Sequence, residues 1–153
     1  MGGAAVSQSY VDVMNEVYSY PDRIDAGDFE GVGRVLAHAT VDMGNGLVLR
    51  GAAEIQASFE QWTRRLPDDG TPHTRHCITN PIVEIDEDAG RATVRYYVTV
   101  LQRTDTFPLQ PVWANRYADT LERVDGAWRI VHRLASGHLP GDTSEHLLAD
   151  PQV

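Results

Sequence analysis

Two segments carry residue types that can move a proton. Asp25 stands in Arg23-Ile24-Asp25-Ala26-Gly27-Asp28-Phe29, at the end of the first amphipathic stretch. His76 stands in His73-Thr74-Arg75-His76-Cys77-Ile78-Thr79-Asn80, where strand periodicity begins. An imidazole oriented by a carboxylate can take and return a proton near neutral pH without a cofactor. Each residue also has an ordinary reading. An Asp near a helix end caps or turns the chain, and a lone His is commonly a satisfied core or surface residue. Asp28 is the better cap, which leaves Asp25 free to face inward. Tyr20 shares a helical face with Val13, Val17 and Ile24. It is either a core aromatic or a phenol able to polarise a carbonyl or assist a departing hydroxide.

Other constellations are weaker. His73 and His76 have His-x-x-His spacing, but residues three apart in a strand point to opposite faces, so no metal site is expected there. The same alternation turns Cys77 away from His76 and argues against a Cys–His nucleophile. Trp113, Asn115 and Tyr117 alternate onto one face, as a pocket wall or as sheet packing or a dimer interface. Arg133 and Asp119 read as an internal structural pair.

The elements that position these residues follow from periodicity. Helical spacing runs from Ser9 to Ile24, with a kink or break expected at Pro21. Asp28 caps a short second helix with Phe29, Val32, Val35 and Leu36 inward. Thr40–Met43 and Leu47–Leu49 flank the turn Gly44-Asn45-Gly46, and Gly51 opens a third helix with Ile55, Phe59 and Trp62 on one face. Strand patterns cover His76–Ile85, Arg91–Arg103, Val112–Arg123 and Trp128–Leu134. Three helices followed by a long antiparallel meander define an α+β fold with a curved sheet wrapped around the helices. Residues 1–7 read as a flexible leader, 8–136 as one domain, and 137–153 as a flexible or partner-covering tail.

Composition limits the partners. The chain has 153 residues, a net charge of −9 and no lysine, which excludes a basic footprint for nucleic acid or an anionic membrane. No apolar run reaches the length of a spanning helix, and the start lacks signal-peptide and myristoylation patterns. The single cysteine suits a reducing cytoplasm.

The layout resembles the SnoaL-like group of the nuclear transport factor 2-like superfamily. The resemblance is carried by Asp25-Ala26-Gly27-Asp28-Phe29, by Arg75-His76-Cys77-Ile78-Thr79-Asn80, and by Tyr117-Ala118-Asp119 followed by Asp125-Gly126-Ala127-Trp128-Arg129-Ile130. It spans roughly residues 8–135 and implies a cone-shaped α+β barrel. Scytalone dehydratases, bile-acid dehydratases and hexachlorocyclohexane dehydrochlorinases of that superfamily carry an Asp–His dyad where Asp25 and His76 lie. The resemblance thus implies His76 as base and Asp25 as its orienting partner. The bile-acid type has a tyrosine in the Tyr20 slot. The dehydrochlorinase has lysine there and an arginine near the slot of Val131, so loss of water fits better than loss of halide. Leu101 and Met43 stand where the scytalone type has a histidine and a pocket tyrosine.

The expected activity is a cofactor-independent, metal-free lyase of dehydratase type acting on a small hydrophobic hydroxylated compound such as a polyketide, steroid or terpenoid. His76, Asp25 and Tyr20 would do the chemistry. Val17, Phe29, Phe59, Trp113, Asn115 and Tyr117 would line the cup. Isomerase or cyclase chemistry, epoxide hydrolysis and non-catalytic ligand binding are the alternatives on the same pocket. A homodimer or higher homo-oligomer is expected, mainly from the resemblance, through the sheet face carrying Arg95, Tyr97 and Thr99.

Overall fold

The computed structural model describes residues 2–151, with side chains from Gln8 onward; Met1 of the leader and Gln152 and Val153 of the tail lie outside them. Helix α1 (Gly2–Asp25) begins ahead of the Ser9 periodicity and runs on through Pro21. The chain therefore does not break there, although proline removes one intrahelical donor. The stop comes four residues later. Gly27 N–H bonds the Ile24 carbonyl and Asp28 N–H bonds the Arg23 carbonyl, both at 3.0 Å. This Schellman pattern has Gly27 at φ +70°. A Cβ there would meet the Gly70 carbonyl oxygen at 2.4 Å. Asp25 is thereby fixed as the last helical residue.

Helix α2 (Phe29–Val35) is capped by Asp28, whose Oδ1 accepts from Gly31 N–H at 2.7 Å. Strands β1 (Thr40–Asp42) and β2 (Val48–Arg50) form a hairpin ahead of helix α3 (Gly51–Trp62). Strands β3 (Thr74–Asp86), β4 (Arg91–Gln102), β5 (Gln110–Val124) and β6 (Ala127–Pro140) make the meander. The last turn has positive φ at both Asp125 and Gly126, the two-residue hairpin geometry that matches strand twist.

The meander is not the whole sheet. Strand β1 pairs in parallel with β6, giving one six-stranded curved, unclosed sheet in the order β2-β1-β6-β5-β4-β3. Strand β3 is an edge, and Pro81 falls in its register shift between Thr79 and Ile82, where no ladder hydrogen bond is lost. Strand β4 alternates cleanly, with Val94, Tyr96, Val98 and Val100 buried against the helices and Arg95 and Tyr97 exposed.

Strand β6 takes in the first four residues of the segment set apart as a tail. The remainder folds back. Thr63 and Leu147 form an isolated antiparallel bridge, and Arg64 N–H and Leu148 N–H bond the carbonyls of His146 and Trp62.

Candidate active site

The end of α1 meets the start of β3. His76 Nδ1 lies 2.6 Å from Asp25 Oδ1, and the same carboxylate accepts from Thr74 Oγ1 at 2.8 Å and from the His76 backbone N–H at 2.9 Å. Both side chains are largely shielded, His76 at 5% exposure and Asp25 at 15%. Nδ1–H donating to the carboxylate leaves Nε2 as the ring acceptor. Burial raises the Asp25 pKa, but the hydrogen bonds and charge of His76 outweigh it, so the carboxyl sits below its ordinary value.

His76 lines a cavity of about 380 Å³, within the range of small-molecule sites. Tyr20 and Ile24 of α1, Phe59 and Trp62 of α3, Val98 and Val100 of β4, and Trp113, Asn115 and Tyr117 of β5 share the wall. Tyr20 packs edge-on against both His76 and Tyr117, with centroids 6.0 and 6.3 Å apart. Burial first, then Tyr117, holds its phenol protonated far above the ordinary range. Two expected lining residues lie elsewhere. Val17 is fully buried in the core, and Phe29 sits behind Phe59 under the Arg65 guanidinium. They share the inward stripe of their helices but not the depth that reaches the cavity.

His73 and His76 do not converge. His73 precedes the strand with φ 53° and faces Asp68 and Asp69 on the surface at 3.1 and 3.2 Å.

Arg133 is more than a structural partner of Asp119, because it also lines the cavity. Its Nε and Nη2 bond Asp119 at 2.8 and 2.7 Å, and Nη2 also reaches Tyr96 Oη at 2.9 Å. Burial would favour the neutral guanidine, but the Asp119 charge prevails and keeps it cationic. A bulge accounts for its direction. Trp128 and Ile130 face inward, but Leu121 pairs with Ile130 and Thr120 with His132, leaving Val131 extra. Alternation therefore restarts on Arg133 and Ala135.

A second register shift, between Ala114 and Arg116, sets Gly137 (φ +60°) and His138 together against Asn115, and His138 lines the cavity. His138 Nε2 donates to the Met43 carbonyl at 2.8 Å, leaving Nδ1 unpartnered. The folded-back segment adds His146. Strict alternation misses Arg133 and His138 because bulges break it, and His146 lies in a segment with no period at all.

A curved sheet and three helices around an apolar cup, with a carboxylate-held imidazole in its wall, define a cone-shaped α+β pocket protein. The SnoaL-like domain family matches residues 5–134, and the chain belongs to that family. No curated protein matches the sequence. Among solved structures, a variant of Rv3472 from Mycobacterium tuberculosis, described as of unknown function, is 22% identical. It covers 89% of this chain and 76% of its own, with a TM-score of 0.71. A candidate scytalone dehydratase from Novosphingobium aromaticivorans is 18% identical over 92% of each chain, with a TM-score of 0.68. The association domain of Caenorhabditis elegans CaMKII is 17% identical over 86% of this chain and 97% of its own, with a TM-score of 0.67. Among the described residues, no helix is long and apolar enough to cross a membrane.

Proposed function

We infer that the protein is a cofactor-independent dehydratase acting on a small hydrophobic β-hydroxy carbonyl compound. The observation that carries this reading is the Asp25–His76 contact in the wall of an apolar cavity. His76 Nε2 takes the proton on the carbon next to the carbonyl, and Asp25 stabilises the imidazolium that forms. The electron pair of the broken C–H bond moves onto the carbonyl as an enolate. It returns to form the carbon–carbon double bond as the β C–O bond breaks, and the departing hydroxide takes a proton from imidazolium or from Tyr20 and leaves as water.

Two features support the assignment of donors. The Tyr20 phenol is held protonated, which suits an acid and not a base. Arg133 Nη1 is buried without a partner, a spare cationic donor for enolate or carbonyl oxygen. The candidate dehydratase among the similar structures agrees with this chemistry at the level of fold. The same reading includes assembly as a homo-oligomer, in line with the association domain of like fold, and a cytoplasmic location, in line with the single cysteine.

Incubation with a panel of bicyclic β-hydroxy ketones, followed by mass spectrometry, tests the reaction class. Loss of water is the expected product signature; an isomer of unchanged mass, or binding without conversion, would overturn it.

A further inference from the structure

We propose that His146, carried in by the C-terminal segment, is a second substrate-binding imidazole of the cavity, hydrogen-bonding a hydroxyl of the bound molecule. The proposal rests on the functional reading only in taking the cavity as the place where a small hydroxylated molecule binds.

The segment holding His146 is fixed on both sides. Arg64 N–H bonds the His146 carbonyl at 2.9 Å, and the Arg64 guanidinium reaches the Leu147 carbonyl at 3.3 Å. Gln102, fully buried at the end of β4, donates from Nε2 to the carbonyls of Pro72 at 2.9 Å and Glu145 at 3.0 Å. Strand end, helix end and returning segment are thus tied at one corner of the cup. The His146 ring has little freedom to leave the wall it forms with His76 and Leu147.

The residue is 6% exposed, and its Nδ1 has no partner among the described residues. An unpartnered buried nitrogen carries a desolvation cost that packing does not recover. A ligand hydroxyl would recover it. Burial, and then the proximity of His76, lowers the imidazole pKa to about 4, so the ring is neutral at ordinary pH. A neutral imidazole offers one donor and one acceptor nitrogen, the complement of a hydroxyl. His138 and Asn115, each with an unpartnered buried atom, line the same cavity. The walls around these polar atoms are aliphatic and aromatic, so the matching ligand is a ring system bearing hydroxyl groups rather than a bare hydrocarbon.

Equilibrium dialysis of the full chain with 1-naphthol and 1-methylnaphthalene separates a polar contact from packing. The native chain should prefer 1-naphthol. His146→Phe should weaken 1-naphthol about tenfold and leave 1-methylnaphthalene unchanged. Equal weakening of both probes, unchanged 1-naphthol binding in the variant, or no preference in the native chain would each overturn the proposal. His146→Met supplies the same comparison if the Phe variant does not fold. Because no turnover is measured, failure of the dehydratase reading leaves this result intact, and the reverse also holds.

Discussion

Arg133 grips Asp119 through two charge-assisted hydrogen bonds of 2.8 and 2.7 Å while its guanidinium lies 4.6 Å from the ring centres of both Tyr20 and Tyr117. One buried cation therefore joins the sheet's ionic core to the aromatic wall of the cavity. Its charge is balanced within the fold, and its Nη1 is buried without a hydrogen-bond partner among the described residues.

Breaking that pair is expected to be costly. Asp119→Ala strands a buried guanidinium and should destabilise by about 3–5 kcal/mol. Replacing both partners, as Asp119→Leu with Arg133→Met, should cost far less than the sum of the single changes. Urea denaturation of the four proteins in the cycle checks this.

Asp25→Asn should lower turnover by about 10²-fold, within the range of acid–base assistance. The amide can still accept a hydrogen bond but cannot match the charge that stabilises imidazolium. Asp25→Ala should also lose about 1–3 kcal/mol of stability, since Thr74 and the His76 backbone N–H then lack their acceptor. Calorimetric melting distinguishes the two variants.

Tyr20→Phe keeps the edge-on packing against His76 and Tyr117 but removes the donor. Turnover should fall by about 10–10²-fold with an unchanged melting temperature. Steady-state rates beside a thermal melt test this. A large fall in melting temperature would reassign Tyr20 to the core.

Acid should weaken the fold through His146 before the Asp25 carboxylate titrates. His146 binds its proton near pH 4 when folded, against an ordinary value of 6.5, so between these limits the unfolded chain holds more protons. Its contribution to stability is complete above about pH 6.5 and is lost as the pH falls toward 4. The Asp25 contribution, from a lowered carboxyl, disappears only below its ordinary value of 3.8. The urea midpoint of the native chain should therefore fall more steeply from pH 6.5 to 4 than that of His146→Phe.

Much of the frame is legible in the sequence because it depends on local chemistry. Asp28 caps, Gly27 stops a helix, Asp125-Gly126 turns a hairpin, and β4 alternates, each for reasons confined to a few neighbouring residues. The meeting of α1's end with β3's start, which places Asp25 on His76 across 51 residues of chain, is not local, and it is the resemblance to the SnoaL-like group that points to it. Non-local features are less legible. Parallel pairing of β1 with β6 joins three-residue strands too short to show a period. The bulge at Val131 reverses an alternation that otherwise points His132 inward. His146 is positioned by Gln102 and Arg64, and no pattern within its own segment signals this docking. Val17 and Phe29 show the converse error, since facing the core is not the same as reaching the cavity.

The most direct measurement compares the native chain with His76→Ala on a bicyclic β-hydroxy ketone, following release of water by mass spectrometry. The native protein should dehydrate it, and the variant should retain its fold and lose at least about 10²-fold in rate. Equal rates in the two proteins, or no dehydration by the native chain across the ketone panel, would contradict His76 as the base of a dehydratase.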